Sequence, residues 1–102
     1  MGYSIQWSLS AEQDLDLIYS YYSCYSKMSA MRIVSDILQS VDILKTFPMS
    51  GSIKKELREG VRVLVVNERY SIVYECVCKS VYIHAIWNQL QNPKMLQSRL
   101  YK

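Results

Sequence analysis

The side chains able to do chemistry are few and unevenly placed. His84 is the one group whose ordinary pKa lies near neutrality, so it is the natural place to hold or release a proton. On a strand it would alternate with Ile83 and Ala85 and share a face with Tyr82 and Ile86, which also fits a structural or surface histidine. Arg62 stands alone inside an apolar run, where a guanidinium needs either an acidic partner or a phosphate. Glu75 could be that partner through a cross-strand ion pair. Lys54, Lys55, Arg58 and Arg69 lie near it in sequence and could add charge for an anion, although a solvated loop is the plain reading of Lys54 and Lys55.

Other constellations are weaker. Cys76-x-Cys78 with Cys24 and His84 could be written as a zinc set, but the spacing fits no finger or ribbon, so no metal is expected and no other cofactor either. Three cysteines, two of them two apart on one strand, give no disulfide framework and suggest a reducing cytoplasm. There is no Gly-rich phosphate loop. Of the run Tyr19, Tyr21, Tyr22 and Tyr25, the last two fall on an apolar stripe and read as core. Tyr19 and Tyr21 are left as a contact surface.

The elements that must position these residues follow from periodicity. Tyr3, Ile5 and Trp7 alternate with polar residues, the pattern of a half-buried strand. Ser10 and Gln13 then form a capping box, and Glu12, Asp14 and Asp16 suit the positive end of a helix dipole. Ala11, Leu15, Ile18, Tyr22 and Tyr25 recur at alternating four- and three-residue spacings, predicting a helix over 10–26. Ala30, Ile33, Val34, Ile37, Val41 and Leu44 predict a second helix over 29–46, stopped by Pro48. Joined by a few residues, the two must lie antiparallel. Val-, Ile- and Tyr-rich runs over 61–66, 70–78 and 81–87, with turns at 67–69 and 79–80, predict a three-stranded antiparallel meander. Asn92-Pro93 opens a short terminal helix through Leu96 and Leu100. The fold class is α+β, with the helix hairpin on one face of a small sheet.

Size and charge bound the reading further. A chain of 102 residues can bury about two-thirds of its unfolded surface, enough for one domain over 1–102. Half of it is apolar or aromatic and 21% is charged, which excludes disorder. No apolar run is long enough for a membrane span, and residues 1–10 carry no basic flank or cleavage site, so neither membrane nor export is expected. Residues 1–44 carry Lys27 and Arg32 against Glu12, Asp14, Asp16, Asp36 and Asp42, a net charge of −3. Residues 45–102 carry ten Lys and Arg against Glu56, Glu59, Glu68 and Glu75, a net +6. One face for an anionic partner is the functional reading of that split, and plain solubility is the other.

The order of pieces resembles a known family. Phe47-Pro48-x-x-Gly51 ends the hairpin, followed by Gly60-Val-Arg62-Val-Leu64-Val, Tyr70-Ser-Ile72-Val-Tyr74 and Val81-Tyr-Ile83-x-x-Ile86, closing with Asn92-Pro93. From about Tyr3 to Leu96 this succession resembles the RelE/ParE superfamily of bacterial toxins, the ParE-like branch more than the RelE-like one. The resemblance implies the toxin of a type II toxin–antitoxin, plasmid-stabilising module, neutralised by an antitoxin whose disordered segment folds across it; the charge split adds the expectation that this segment is acidic. RelE-like members cut mRNA in the ribosome without a metal, whereas characterised ParE-like members inhibit DNA gyrase.

Metal-free RNA cleavage needs a base, cations for the extra phosphate charge and an acid for the leaving oxygen. The resemblance puts Arg62 at a matching strand position. It also puts Leu64 and Ser71 where cations are wanted, and Asn88-Gln89-Leu90-Gln91 where a basic residue or His is common. The leading expectation is therefore a toxin that acts by binding, of the gyrase type. Its target- or antitoxin-binding residues would be drawn from Arg58, Arg62, Tyr19, Tyr21, Gln89, Arg99 and Tyr101. The alternative is a ribosome-dependent endonuclease, for which Arg62, Lys54, Lys55, Arg69 and His84 are the catalytic candidates. A decayed member that poisons nothing is the third.

Overall fold

The computed structural model describes residues 2–88. The terminal helix expected after Asn92, together with Gln89, Arg99 and Tyr101, lies outside the described residues. The elements run β1 (Ser4–Trp7), α1 (Leu9–Ser23), α2 (Lys27–Ile43), β2 (Ser52–Ile53), β3 (Val61–Val66), β4 (Tyr70–Val77) and β5 (Ser80–Asn88). The α+β class, the helix hairpin and the antiparallel β3–β4–β5 meander are as the periodicity predicts.

The sheet is larger than the meander. Its order is β1-β5-β4-β3-β2, with β1 parallel to β5 and every other pair antiparallel. A two-residue strand such as β2 has no periodicity to read, and the sequence marks no separate strand at Ser52–Ile53. It forms because the chain leaving the 48–51 turn is delivered alongside Arg62 and Val63.

Both helix starts move from their expected places, for one reason. Ser8, not Ser10, caps α1: its backbone is extended, and its Oγ accepts from the Ala11 N–H at 3.0 Å. The choice is tertiary, because the Ser8 N–H donates to the Ile83 carbonyl and its hydroxyl to the His84 carbonyl. The chain thus leaves the sheet and enters the helix at the same residue. Ser26 then caps α2, accepting from Ser29 N–H, which ends α1 at Ser23 and starts α2 at Lys27. Tyr25 therefore lies beyond the helix that was to bury it, and is 77% exposed.

The two hairpin turns are tight. Asn67 and Glu68, and likewise Cys78 and Lys79, have positive φ, the requirement of a two-residue turn matched to strand twist. The hairpin packs Ala11, Ile18, Ile37, Val41 and Leu44 against Val66, Tyr70, Ile72, Tyr74, Val81, Ile83 and Ile86. On the opposite face of the sheet Leu57, from the segment between β2 and β3, closes a smaller cluster with Val61, Val73 and Ala85.

Candidate functional site

The functional candidates fall on different faces of the sheet, which strand alternation decides. Arg62 pairs across from Tyr74, and both point to the hairpin side. The Arg62 guanidinium donates to the Gly51 carbonyl at 2.8 Å and to the Met49 carbonyl at 3.4 Å. Tyr74 is fully buried; its hydroxyl donates to the Pro48 carbonyl and accepts from the Gly51 N–H, each at 2.8 Å. Together Arg62 and Tyr74 clamp the Pro48–Gly51 turn. Gly51 is required there by close approach, since a Cβ would stand 2.7 Å from the Tyr74 hydroxyl. The expected ion pair between Arg62 and Glu75 does not form: neighbouring residues on a strand point to opposite faces, and Glu75 follows Tyr74.

Glu75 instead joins two candidates that were weighed separately. Its Oε1 accepts from Arg58 at 2.5 Å and lies 3.0 Å from His84 Nε2, which also stands 3.3 Å from Arg58. All three side chains are about three-quarters buried. Burial works to raise the Glu75 pKa, but the hydrogen bonds from His84 and Arg58 outweigh it and hold the carboxyl below its ordinary value. His84 arrives here through a β-bulge. Val73 faces Ala85 and Tyr74 faces Ile83, so His84 is the extra residue opposite none. The bulge corrects the expected face: Ile86 turns into the main core, away from His84. No periodicity in the sequence could reveal that shift.

The third group lies at the other end of the sheet. Arg69 donates to the Tyr22 hydroxyl at 3.0 Å, and the Tyr70 hydroxyl donates to the same oxygen at 3.2 Å. The Tyr70 bond lowers the Tyr22 pKa against the effect of burial, and Arg69 adds to the lowering. Tyr70 is raised, chiefly by burial. Tyr21 stands edge-on to Tyr22 and Tyr25, with ring centroids 5.0 and 5.6 Å away. Tyr19 does not join this surface. Residues two apart diverge around a helix, and Tyr19 lies instead in a groove between the helices with Met31, Val34 and Leu38. Sequence reasoning passed over Tyr22 and Tyr70 as site residues, because an apolar stripe hides which phenols meet a polar neighbour.

The cations that nuclease chemistry would use are therefore dispersed. Arg62 is held by backbone carbonyls and Arg58 by Glu75, while Lys54 and Lys55 occupy the segment between β2 and β3. Leu64 packs against the main core and Ser71 is buried, so neither adds charge. Among the described residues no group of three His, Cys, Asp or Glu could hold a metal ion. Cys24 and Cys78 are exposed free thiols, and Cys76, half-buried, lies 3.6 Å from the Pro48 carbonyl. Nor, among the described residues, is any helix long and apolar enough to cross a membrane.

Comparison with known proteins agrees with this architecture. A chain in the solved structure titled "Chromosomal ParDE TA system from P. aeruginosa" superposes with a TM-score of 0.74 at 27% identity. The match covers 84% of this chain and 95% of that one. No curated protein sequence matches significantly. The family model described as "ParE toxin of type II toxin-antitoxin system, parDE" matches residues 5–93, so that β1, the helix hairpin and the whole meander fall inside it. The chain belongs to the ParE toxin family of type II toxin–antitoxin systems.

Proposed function

We propose that this toxin arrests growth in the cytoplasm by binding an essential target of the DNA gyrase type, and that a cognate antitoxin silences it through an acidic segment. The observation that carries the reading is the engagement of Arg58 and Arg62. Arg62 is tied to the Met49 and Gly51 carbonyls, and Arg58 to a carboxylate. A metal-free nuclease must gather unopposed cations around the scissile phosphate, whereas Arg58 is paired with a carboxylate and Arg62 is turned onto the 49–51 turn. The net +6 of residues 45–102 supports an acidic partner. The relative from P. aeruginosa is, by its title, part of a ParDE system, which supports pairing with an antitoxin here.

The competing reading, a ribosome-dependent mRNA endonuclease, draws on one feature: Glu75 orients the His84 imidazole, as a carboxylate orients a catalytic base. Induced expression separates the two. DNA damage with intact mRNA supports the gyrase-type reading. Primer extension showing cuts within translated codons, abolished in His84→Ala, would replace it with the nuclease. Harmless expression without the antitoxin would point to a decayed member.

A further inference from the structure

Three clefts converge on Arg69. One of about 500 Å³ lies between α1 and the sheet end, beside Leu17, Tyr21 and Ile86. A second, of about 450 Å³, runs past Tyr25 and Ile33. A third of about 450 Å³ opens towards Arg32 and Asn67. Arg69 is the residue common to all three.

Two properties suit Arg69 to hold an anion. The first is preorganisation. It follows directly on the tight Asn67–Glu68 turn, whose Asn67 amide donates to Asp36 of α2 at 2.7 Å. Its guanidinium is then aimed by the Tyr22 oxygen, which Tyr70 in turn holds. A side chain already fixed loses little entropy when it binds. The second is its incomplete neutralisation. Among the described residues Arg69 forms no ion pair, whereas Arg58 has Glu75 and Lys45 has Asp42. One N–H group goes to a phenol oxygen, and the rest of the fork is left for a planar anion.

Beside this cation α1 and its C-terminal end present a ridge of Leu17, Tyr21 and Tyr25, four residues apart, which are 68%, 60% and 77% exposed. Rigid tyrosines around an arginine are the composition of an interface hot spot. Nucleic acid fits less well, because tracking a phosphate backbone takes a row of unopposed cations. Here Glu68 adjoins Arg69 in sequence, and Asp14 and Asp36 line the same clefts, so the junction suits a single carboxylate on the fork beside an apolar side chain and not a run of negative charge.

We propose that the junction at Arg69 is the docking point of the antitoxin's acidic segment, with one carboxylate on the Arg69 fork and an apolar side chain on the Leu17–Tyr21 ridge. This rests on the reading of the chain as a toxin silenced by an acidic antitoxin.

The test uses the full-length toxin and its cognate antitoxin, co-expressed, separated and titrated by calorimetry at several salt concentrations. Arg69→Gln is expected to weaken binding about 10- to 100-fold and to flatten its salt dependence. Tyr22→Phe keeps the ring but removes the aiming oxygen, and is expected to cost about 3- to 10-fold. Leu17→Ala, at an exposed site that cannot disturb folding, is expected to cost about 5-fold or more. Arg69→Glu is expected to abolish binding, and one acid-to-lysine change in the antitoxin to restore it. Arg69→Gln and Leu17→Ala both binding within twofold of wild type would overturn the proposal, as would failure of every antitoxin acid-to-lysine change to rescue Arg69→Glu. So would loss in Arg69→Gln of binding to a single-stranded oligonucleotide with the antitoxin affinity intact, which would assign the junction to nucleic acid. Harmless expression of the wild-type toxin would defeat the growth-arrest reading while leaving these binding constants standing.

Discussion

Tyr74 has no solvent-accessible surface, yet its hydroxyl serves both a donor and an acceptor in the 48–51 turn. Replacing it by phenylalanine keeps the ring and strands two buried backbone groups, so Tyr74→Phe is expected to destabilise by about 1–3 kcal/mol, read from urea unfolding midpoints. Glu75 gives a prediction in pH. Its folded pKa lies below the ordinary value of 4.5, so its contribution to stability is fully present above that value and is lost as pH falls through the lowered one. The stability gap between wild type and Glu75→Gln is therefore expected to be constant near neutrality and to close as the pH falls below 4.5 and through the lowered value. Thermal melts across that range check it; a gap that widens on acidification would refute the assignment. Tyr22 supplies a third. With Tyr70 donating to its oxygen, it should ionise below an ordinary tyrosine, and Tyr70→Phe should move it back up in an NMR titration of ring-labelled protein.

At the scale of elements, the weak point of the sheet is the outer edge of β5, because β1 covers only Ser80–Ile83. Side chains complete the work. Ser8 binds the His84 carbonyl, and an Asp14 carboxylate oxygen accepts from the Ile86 N–H at 3.1 Å. Asp14 is thus more than a charge at a helix N-terminus: it closes an edge that would otherwise template another strand. Ser8 both caps α1 and seals that edge, so Ser8→Ala is expected to cost about 1–2 kcal/mol, the upper part of the range for an N-cap. The β4–β5 turn offers the reverse change. Cys78 and Lys79 both sit in the left-handed region, where a side chain is disfavoured and glycine is not. Lys79→Gly is expected to raise stability by about 0.5–1 kcal/mol, detectable as a higher melting temperature.

At the scale of the whole molecule, the charge division between an acidic helical first part and a basic second part sets the terms of association. A partner drawn to the basic part is expected to bind more weakly as salt rises, and an affinity indifferent to salt would speak against an acidic antitoxin. That division was legible in composition alone, as were the α+β class, the helix hairpin and the meander. These depend on periods of two and near four that a sequence displays directly. The resemblance to the ParE-like branch rested on the same order of elements, and the family match over residues 5–93 agrees with it. What only the tertiary structure decided were the partners. Arg62 and Glu75 sit on strands paired in register, yet they point to opposite faces. A one-residue bulge brings His84 to Glu75 and Arg58, and Ser8 outranks Ser10 as a cap because β5 is there to bind it. Each outcome turns on contacts between different elements, with partners from nine to 76 positions apart. Local spacing fixes which way a side chain leaves its own element, but what it meets there depends on how elements pair, and one inserted residue reverses the answer.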